Sequence, residues 1–213
     1  MANLLPDAEV SAAYVALRVR VVALLRSLPE SAGNRVVPHC PMWTVRELAS
    51  HLFGVPDDIV NGRMEGVASD AWTQAQVERH RGKSLKQIAD AFDELSTAFD
   101  AMLPHFPATA RSQMTMDAVT HEHDLRHSVG APGARDSVAV SVALAWLRQW
   151  VNGRNVPRSD SLYTAALSDF DLLRCLTGRR SLSQAEGLGL PVDVLIAVQA
   201  GSPFCPPAQP VVE

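Results

Sequence analysis

Four segments with apolar residues at helical spacing, each bounded by its own start or stop signal, leave this chain few options beyond a helical bundle. In the first, Val10, Tyr14, Leu17, Val21, Leu24, Leu25 and Leu28 recur on one face, and Pro29 with Gly33 closes the run. A Pro-bearing connector, VVPHCPMW, then leads to Thr44-Val-Arg-Glu47, where a Thr N-cap and a Glu three residues later predict a capping box. The second helix starts there and runs through Leu48, His51 and Leu52 to Pro56, which predicts a kink or stop before Asp57 to Gly62 resume the pattern. Residues 70–81 predict a short amphipathic helix. Ser84-Leu-Lys-Gln87 is a second capping box opening one long third helix, with Leu85, Ile88, Phe92, Leu95, Phe99 and Met102 on one face. After Pro104 and Pro107 a fourth helix spans about Ala108 to Val129, and Gly130 is placed to end it at the C′ position. The expected fold is therefore mainly all-α: a four-helix bundle over residues 1–130, followed by a short helical or irregular region over 131–213 that packs on it. Within that region Ser137 to Val151 and Asp169 to Thr177 read as helices. Asn152 to Ser161 reads as a polar linker, and the run PVDVLIAV reads as either a helix or a strand.

Composition excludes several classes of function. Of 213 residues, 47% are hydrophobic and 20% charged, enough for one real core, and the net charge of −4 comes without any Lys/Arg block. Nothing draws such a chain to a phosphate backbone or an anionic membrane surface, so no nucleic acid and no membrane are expected as partners. The N-terminal stretch fits neither a basic leader nor a continuous apolar one, and a cytoplasmic protein, monomer or homodimer, is expected. Cys40, Cys175 and Cys205 are odd in number and far apart, which reads as reduced, partly buried thiols rather than a zinc or redox motif.

The fourth helix carries DAVTHEHDLRH, residues 117–127, with three histidines and three acids among eleven residues. At about 100° per residue, Met114, Ala118, Leu125 and Val129 define its buried stripe. Asp117 and His121, i and i+4, lie at the stripe's margin with Asp124 beside them, whereas His123 and His127 point more than about 120° away and are expected to face solvent. On the second helix, Leu48, Leu52, Val55 and Ile59 form the stripe and His51 sits at its edge. Two histidines and a carboxylate projecting into a bundle interior make three ligands with a position left open, a set suited to zinc and also compatible with iron, manganese or nickel. An edge histidine is more often a satisfied core or boundary residue than a ligand, and spacing alone is a weak signal for the site.

Two segments carry a resemblance. CPMWTVRELASHLFGV resembles the Cys-Pro-Gly-Trp-Thr-Val-Arg-Asp-Leu…His-Leu stretch of the DinB-like metal-binding domain of the mycothiol-dependent maleylpyruvate isomerase family, with Met42 where glycine is usual. DAVTHEHDLRHSVG is similar to that family's Glu-x-x-x-His-x-x-Asp-[Leu/Ile] helix. DAWTQAQVERHRG and FDLLRCLTGRRSLSQ are similar to two further family segments. The resemblance implies a DinB-like bundle with His51, Asp117 and His121 as metal ligands, Asp117 standing where glutamate is commoner. It implies a supporting hydrogen bond or a packing contact for Asp124, and a catalytic arginine from the C-terminal part, for which Arg174, Arg179 and Arg180 qualify by position. A helix C-terminus also attracts arginines for the macrodipole alone. The implied cofactors are a divalent metal, zinc first, and mycothiol or a similar thiol as cosubstrate. The implied activity is thiol transfer to, or isomerisation of, a small electrophilic substrate; the alternative is a non-catalytic metal- or ligand-binding bundle. Residues 131–167 are too few for the sterol-carrier-like second unit that many relatives carry.

Overall fold

The computed structural model describes residues 3–213 and is 65% helical, with ten α-helices among the described residues and a two-stranded sheet. Helix α1 (Asp7–Ser27) buries Val10, Tyr14, Leu17, Val21 and Leu25, the stripe its periodicity defines, and places Asp7 and Glu9 in the first turn where the helix dipole favours acids. A 3-10 turn (Glu30–Asn34) leads to an antiparallel hairpin, β1 (Val36–Val37) and β2 (Cys40–Thr44), inside what the sequence offers only as a connector. Thr44 then caps α2 (Val45–Val60): its side chain accepts from the Glu47 N–H while the Glu47 carboxylate accepts from the Thr44 N–H, the predicted capping box. Pro56 lies within α2 without ending it.

Helix α3 (Asp70–His80) packs on α2, and α4 (Leu85–Glu94) opens on the Ser84/Gln87 capping box. The expected single third helix is divided at Leu95, beyond which α5 (Ser96–Met102) buries only Phe99. Leu95 keeps right-handed helical dihedrals, so the chain direction is nearly preserved across the break. Helix α6 (Ala108–Val129) has the predicted bounds, ended by Gly130 at φ +69°, a conformation that costs glycine nothing. Then follow α7 (Val138–Gly153), α8 (Asp169–Leu176), α9 (Leu182–Gly187) and α10 (Val192–Gln199). The last of these is PVDVLIAV, and Val194, Leu195 and Val198 are buried from it at helical spacing.

Helices α1, α2, α4 and α6 form the bundle, α1 and α2 each packing on both α4 and α6. Helix α7 lies against α6 and α1, and α8 lies against α7, so the second face of α6 is covered as well. Two close approaches hold this arrangement. A Cβ on Gly54 would meet the Gln76 Cβ at 2.6 Å, so glycine lets α3 lie directly on α2. A Cβ on Gly178 would meet the Cys205 carbonyl oxygen at 2.7 Å, where the segment after α10 crosses the end of α8.

Candidate metal centre

Helix α2 supplies His51 and α6 supplies Asp117 and His121, and their ligating atoms all lie within 4.8 Å of one another. Nε2 of His51 is 3.3 Å from Asp117 Oδ2, Nε2 of His121 is 3.7 Å from Oδ1, and the two imidazoles stand edge to face at 5.1 Å. Ligands of a tetrahedral zinc at about 2.1 Å are about 3.4 Å apart, so these separations suit one shared ion. Both histidines are buried, and the Asp117 side chain, 41% exposed, is where the site meets solvent.

The protons on the two imidazoles follow from their partners. Asp58 on α2 is fully buried and only accepts; it takes the Gln76 Nε2 at 3.0 Å, which turns Gln76 Oε1 toward His51 Nδ1 at 2.8 Å. His51 Nδ1 is therefore placed to donate to Gln76, which leaves Nε2, the atom that faces Asp117, to give up its proton when an ion binds. His121 Nδ1 likewise faces an acceptor, Asp124 Oδ2 at 3.1 Å, and its Nε2 is the free one. Two Nε2 atoms and a carboxylate converge on one point, the donor set a divalent ion takes. Burial raises the Asp117 carboxyl, but His51 and His121 outweigh it and hold it at about 2. Burial also lowers His51, yet the Asp117 carboxylate leaves it net raised, whereas for His121 burial prevails and its pKa is lowered.

Around this centre stand groups of different character. Trp43 of β2 packs against both imidazoles with its ring tilted, at 43° and 45°, and ring centroids at 5.3 Å and 5.9 Å. Cys40 Sγ approaches Asp124 Oδ2 at 3.6 Å and Arg179 Nη2 at 3.7 Å, and burial together with Asp124 pushes its thiol up to about 12. All three cysteines are free; Cys40 is half-buried, Cys175 buried and Cys205 exposed.

The three candidate arginines fall around two carboxylates. Arg179 meets Asp124 Oδ2 at 3.1 Å, and Arg174, wholly buried, joins Asp124 Oδ1 at 2.7 Å to Glu213 Oε1 at 2.8 Å. Arg180 pairs with Glu213 Oε2 at 2.6 Å. Arg179 alone of the three also reaches Cys40 at the rim of the centre. Asp124 thus supports a ligand from behind, with both of its oxygens engaged.

Two sequence expectations are overturned. His123 is 3% exposed, its ring edge-on to Phe170 of α8 at 4.8 Å, and His127 is half-buried with its ring 5.0 Å from that of His39. The helical wheel allows α6 one covered face, but α7, α8 and the tail cover the other. Glu122 of the same motif is fully buried in a bidentate pair with Arg20, at 2.8 and 2.7 Å, and also accepts from Arg126. The sequence reading passes over Gln76 and Asp58. Their available signal was polar side chains falling in line with buried positions, Gln76 on the same face as Trp72, Val77 and His80.

Burial makes His123 a source of acid lability. It pushes the imidazole from 6.5 down to about 4, so between those values the unfolded chain takes up a proton that the folded chain refuses. Folding stability then falls as pH drops, by about 1.4 kcal/mol per pH unit for one such group. Urea unfolding at about pH 6.5 and about pH 5 is expected to show wild type losing about 2 kcal/mol more than His123→Gln; equal losses would place the ring in contact with solvent.

A family model described as the mycothiol maleylpyruvate isomerase N-terminal domain matches residues 14–160. No curated protein and no solved structure matches the chain.

Proposed function

The chain belongs to the mycothiol maleylpyruvate isomerase N-terminal domain family, and we propose that it is a metal-dependent enzyme acting on a low-molecular-weight thiol, mycothiol or a close analogue, in transfer or isomerisation. His51, Asp117 and His121 are the proposed ligands. The observation that carries the reading is the pair of imidazoles whose Nδ1 atoms face the oxygens of Gln76 and Asp124, leaving both Nε2 atoms turned toward Asp117. A divalent ion in this N,N,O set, zinc by preference, lowers the pKa of a thiol and so supplies a nucleophile at neutral pH.

The chain's own residues do the rest. Gln76 and Asp124 fix the tautomers, and Trp43 shields the two imidazoles from water on the hairpin side. Arg179, 13% exposed, sets a permanent positive charge beside the centre, suited to an anionic thiol or substrate. Arg174 and Arg180 hold Asp124 and Glu213 and act as positioning residues in this reading. Burial and Asp124 favour the protonated thiol at Cys40, which argues against it as the nucleophile in this reading. No helix among the described residues is long and apolar enough to cross a membrane.

The test is metal content of the purified protein beside His51→Ala, His121→Ala and His123→Gln, followed by thiol transfer to a generic electrophile with mycothiol. One tightly held ion is expected in wild type and His123→Gln, and none at this centre in the other two. Absence of stoichiometric metal from wild type would sink the metalloenzyme reading. Metal without any rate above the uncatalysed reaction would leave a non-catalytic binding bundle.

A further inference from the structure

A second set of ligating side chains lies behind α6, where the proposed chemistry uses nothing. His39 sits in the turn of the β1–β2 hairpin, His127 on the last turn of α6, and Glu213 beyond α10, and one ligating atom from each lies within 4.8 Å of the other two. The His39 side chain is 1% exposed and that of Glu213 4%, with Nε2 of His39 3.7 Å from Glu213 Oε1. Neither ring nitrogen of His39 has a hydrogen-bond partner among the described residues, nor does Nδ1 of His127. Leaving such nitrogens buried and unsatisfied costs about 1–3 kcal/mol each, so a ligand is the economical explanation for their convergence.

From this convergence we propose a second divalent-cation site, with His39, His127 and Glu213 as its three protein ligands. Two imidazoles and one carboxylate suit zinc or a neighbouring transition ion. Arg174 and Arg180 hold the Glu213 carboxylate in place, as groups behind a ligand do, while drawing on its charge. The second ion is therefore held more weakly than the first. His127 and Glu213 also line a cavity of about 580 Å³, shared with His123, Arg135 and Phe170, which gives the open coordination position room for water or a small anion. The ion ties together the hairpin, the end of α6 and the segment at residue 213, which are distant in sequence.

The test is a zinc titration of the metal-free 213-residue chain against a chromogenic chelator, with helical circular dichroism recorded for every variant. Wild type is expected to take two ions in two steps. His39→Gln and His127→Gln each lose the weaker step and keep the tighter one, and His51→Ala does the reverse. Retention of both ions by folded His39→Gln and His127→Gln overturns the proposal, and so does a wild type with one ion that only His51→Ala removes. A wild type with one ion that His39→Gln loses and His51→Ala keeps supports this site and sinks the centre at His51 instead. Should His39→Gln fail to fold, His127→Gln decides alone.

Discussion

Asp124→Ala is expected to lower the folding free energy by about 3–5 kcal/mol in equilibrium denaturation, among the largest losses any single change in this chain produces. The carboxylate is wholly buried and balances Arg174, itself wholly buried, as well as Arg179. Burial alone would raise its pKa; the two guanidiniums and the His121 proton overcome that and hold it well below the usual carboxylate range. Removing it leaves Arg179 without a carboxylate and Arg174 to share Glu213 with Arg180, three buried or nearly buried guanidiniums around one glutamate, which costs far more than losing a surface pair. Because the folded pKa is depressed, the contribution is present above about pH 4 and is lost as pH falls through the folded value. Asp124→Asn keeps an acceptor for His121 Nδ1 and separates charge balance from tautomer control: stability is expected to fall nearly as far, with metal affinity better preserved than in Asp124→Ala. A loss under about 1 kcal/mol for Asp124→Ala would show that Glu213 and solvent suffice to balance the arginines.

The local parts of this architecture can be read in the sequence because their causes are local. Thr44 with Glu47 and Ser84 with Gln87 announce helix starts, Gly130 announces a stop, and the i, i+4 relation of Asp117 and His121 follows from helical geometry. The placement of His51 at a stripe edge is of the same kind. What could not be read is what covers the second face of α6. Periodicity marks which residues are apolar, and a face made of Glu122, His123, Arg126 and His127 looks solvated until Arg20, Phe170 and Glu213 arrive from distant parts of the chain. The same holds for Asp124: its position beside His121 follows from spacing, whereas the arginines that make it indispensable come from α8 and the residues after it.

Gln76→Leu is expected to weaken metal binding at His51 by about 10–100-fold with the helical content unchanged, the size of effect seen when the group behind a ligating histidine is removed. The reasoning runs through two hydrogen bonds. Asp58 can only accept, so it takes the Gln76 amide nitrogen and leaves the amide oxygen for His51 Nδ1. Leucine offers Nδ1 nothing, and the imidazole then places its proton on Nε2, against Asp117, where it blocks the ligating lone pair. Asp58→Ala tests the same relay one bond further away. Without the carboxylate the Gln76 amide is free to turn over and offer its N–H to His51, which again moves the proton to Nε2, so affinity is expected to fall as it does in Gln76→Leu. In Asp58→Asn the single carbonyl oxygen is claimed by Arg63 and Arg79, which both donate to Asp58 Oδ1, so the new NH2 faces Gln76 in place of Oδ2 and affinity is expected to fall as in Asp58→Ala. A competitive zinc titration of each variant is the deciding measurement: wild-type affinity in Gln76→Leu would mean that the relay does not set the tautomer at all, and wild-type affinity in Asp58→Ala would mean that Gln76 keeps its orientation without the carboxylate.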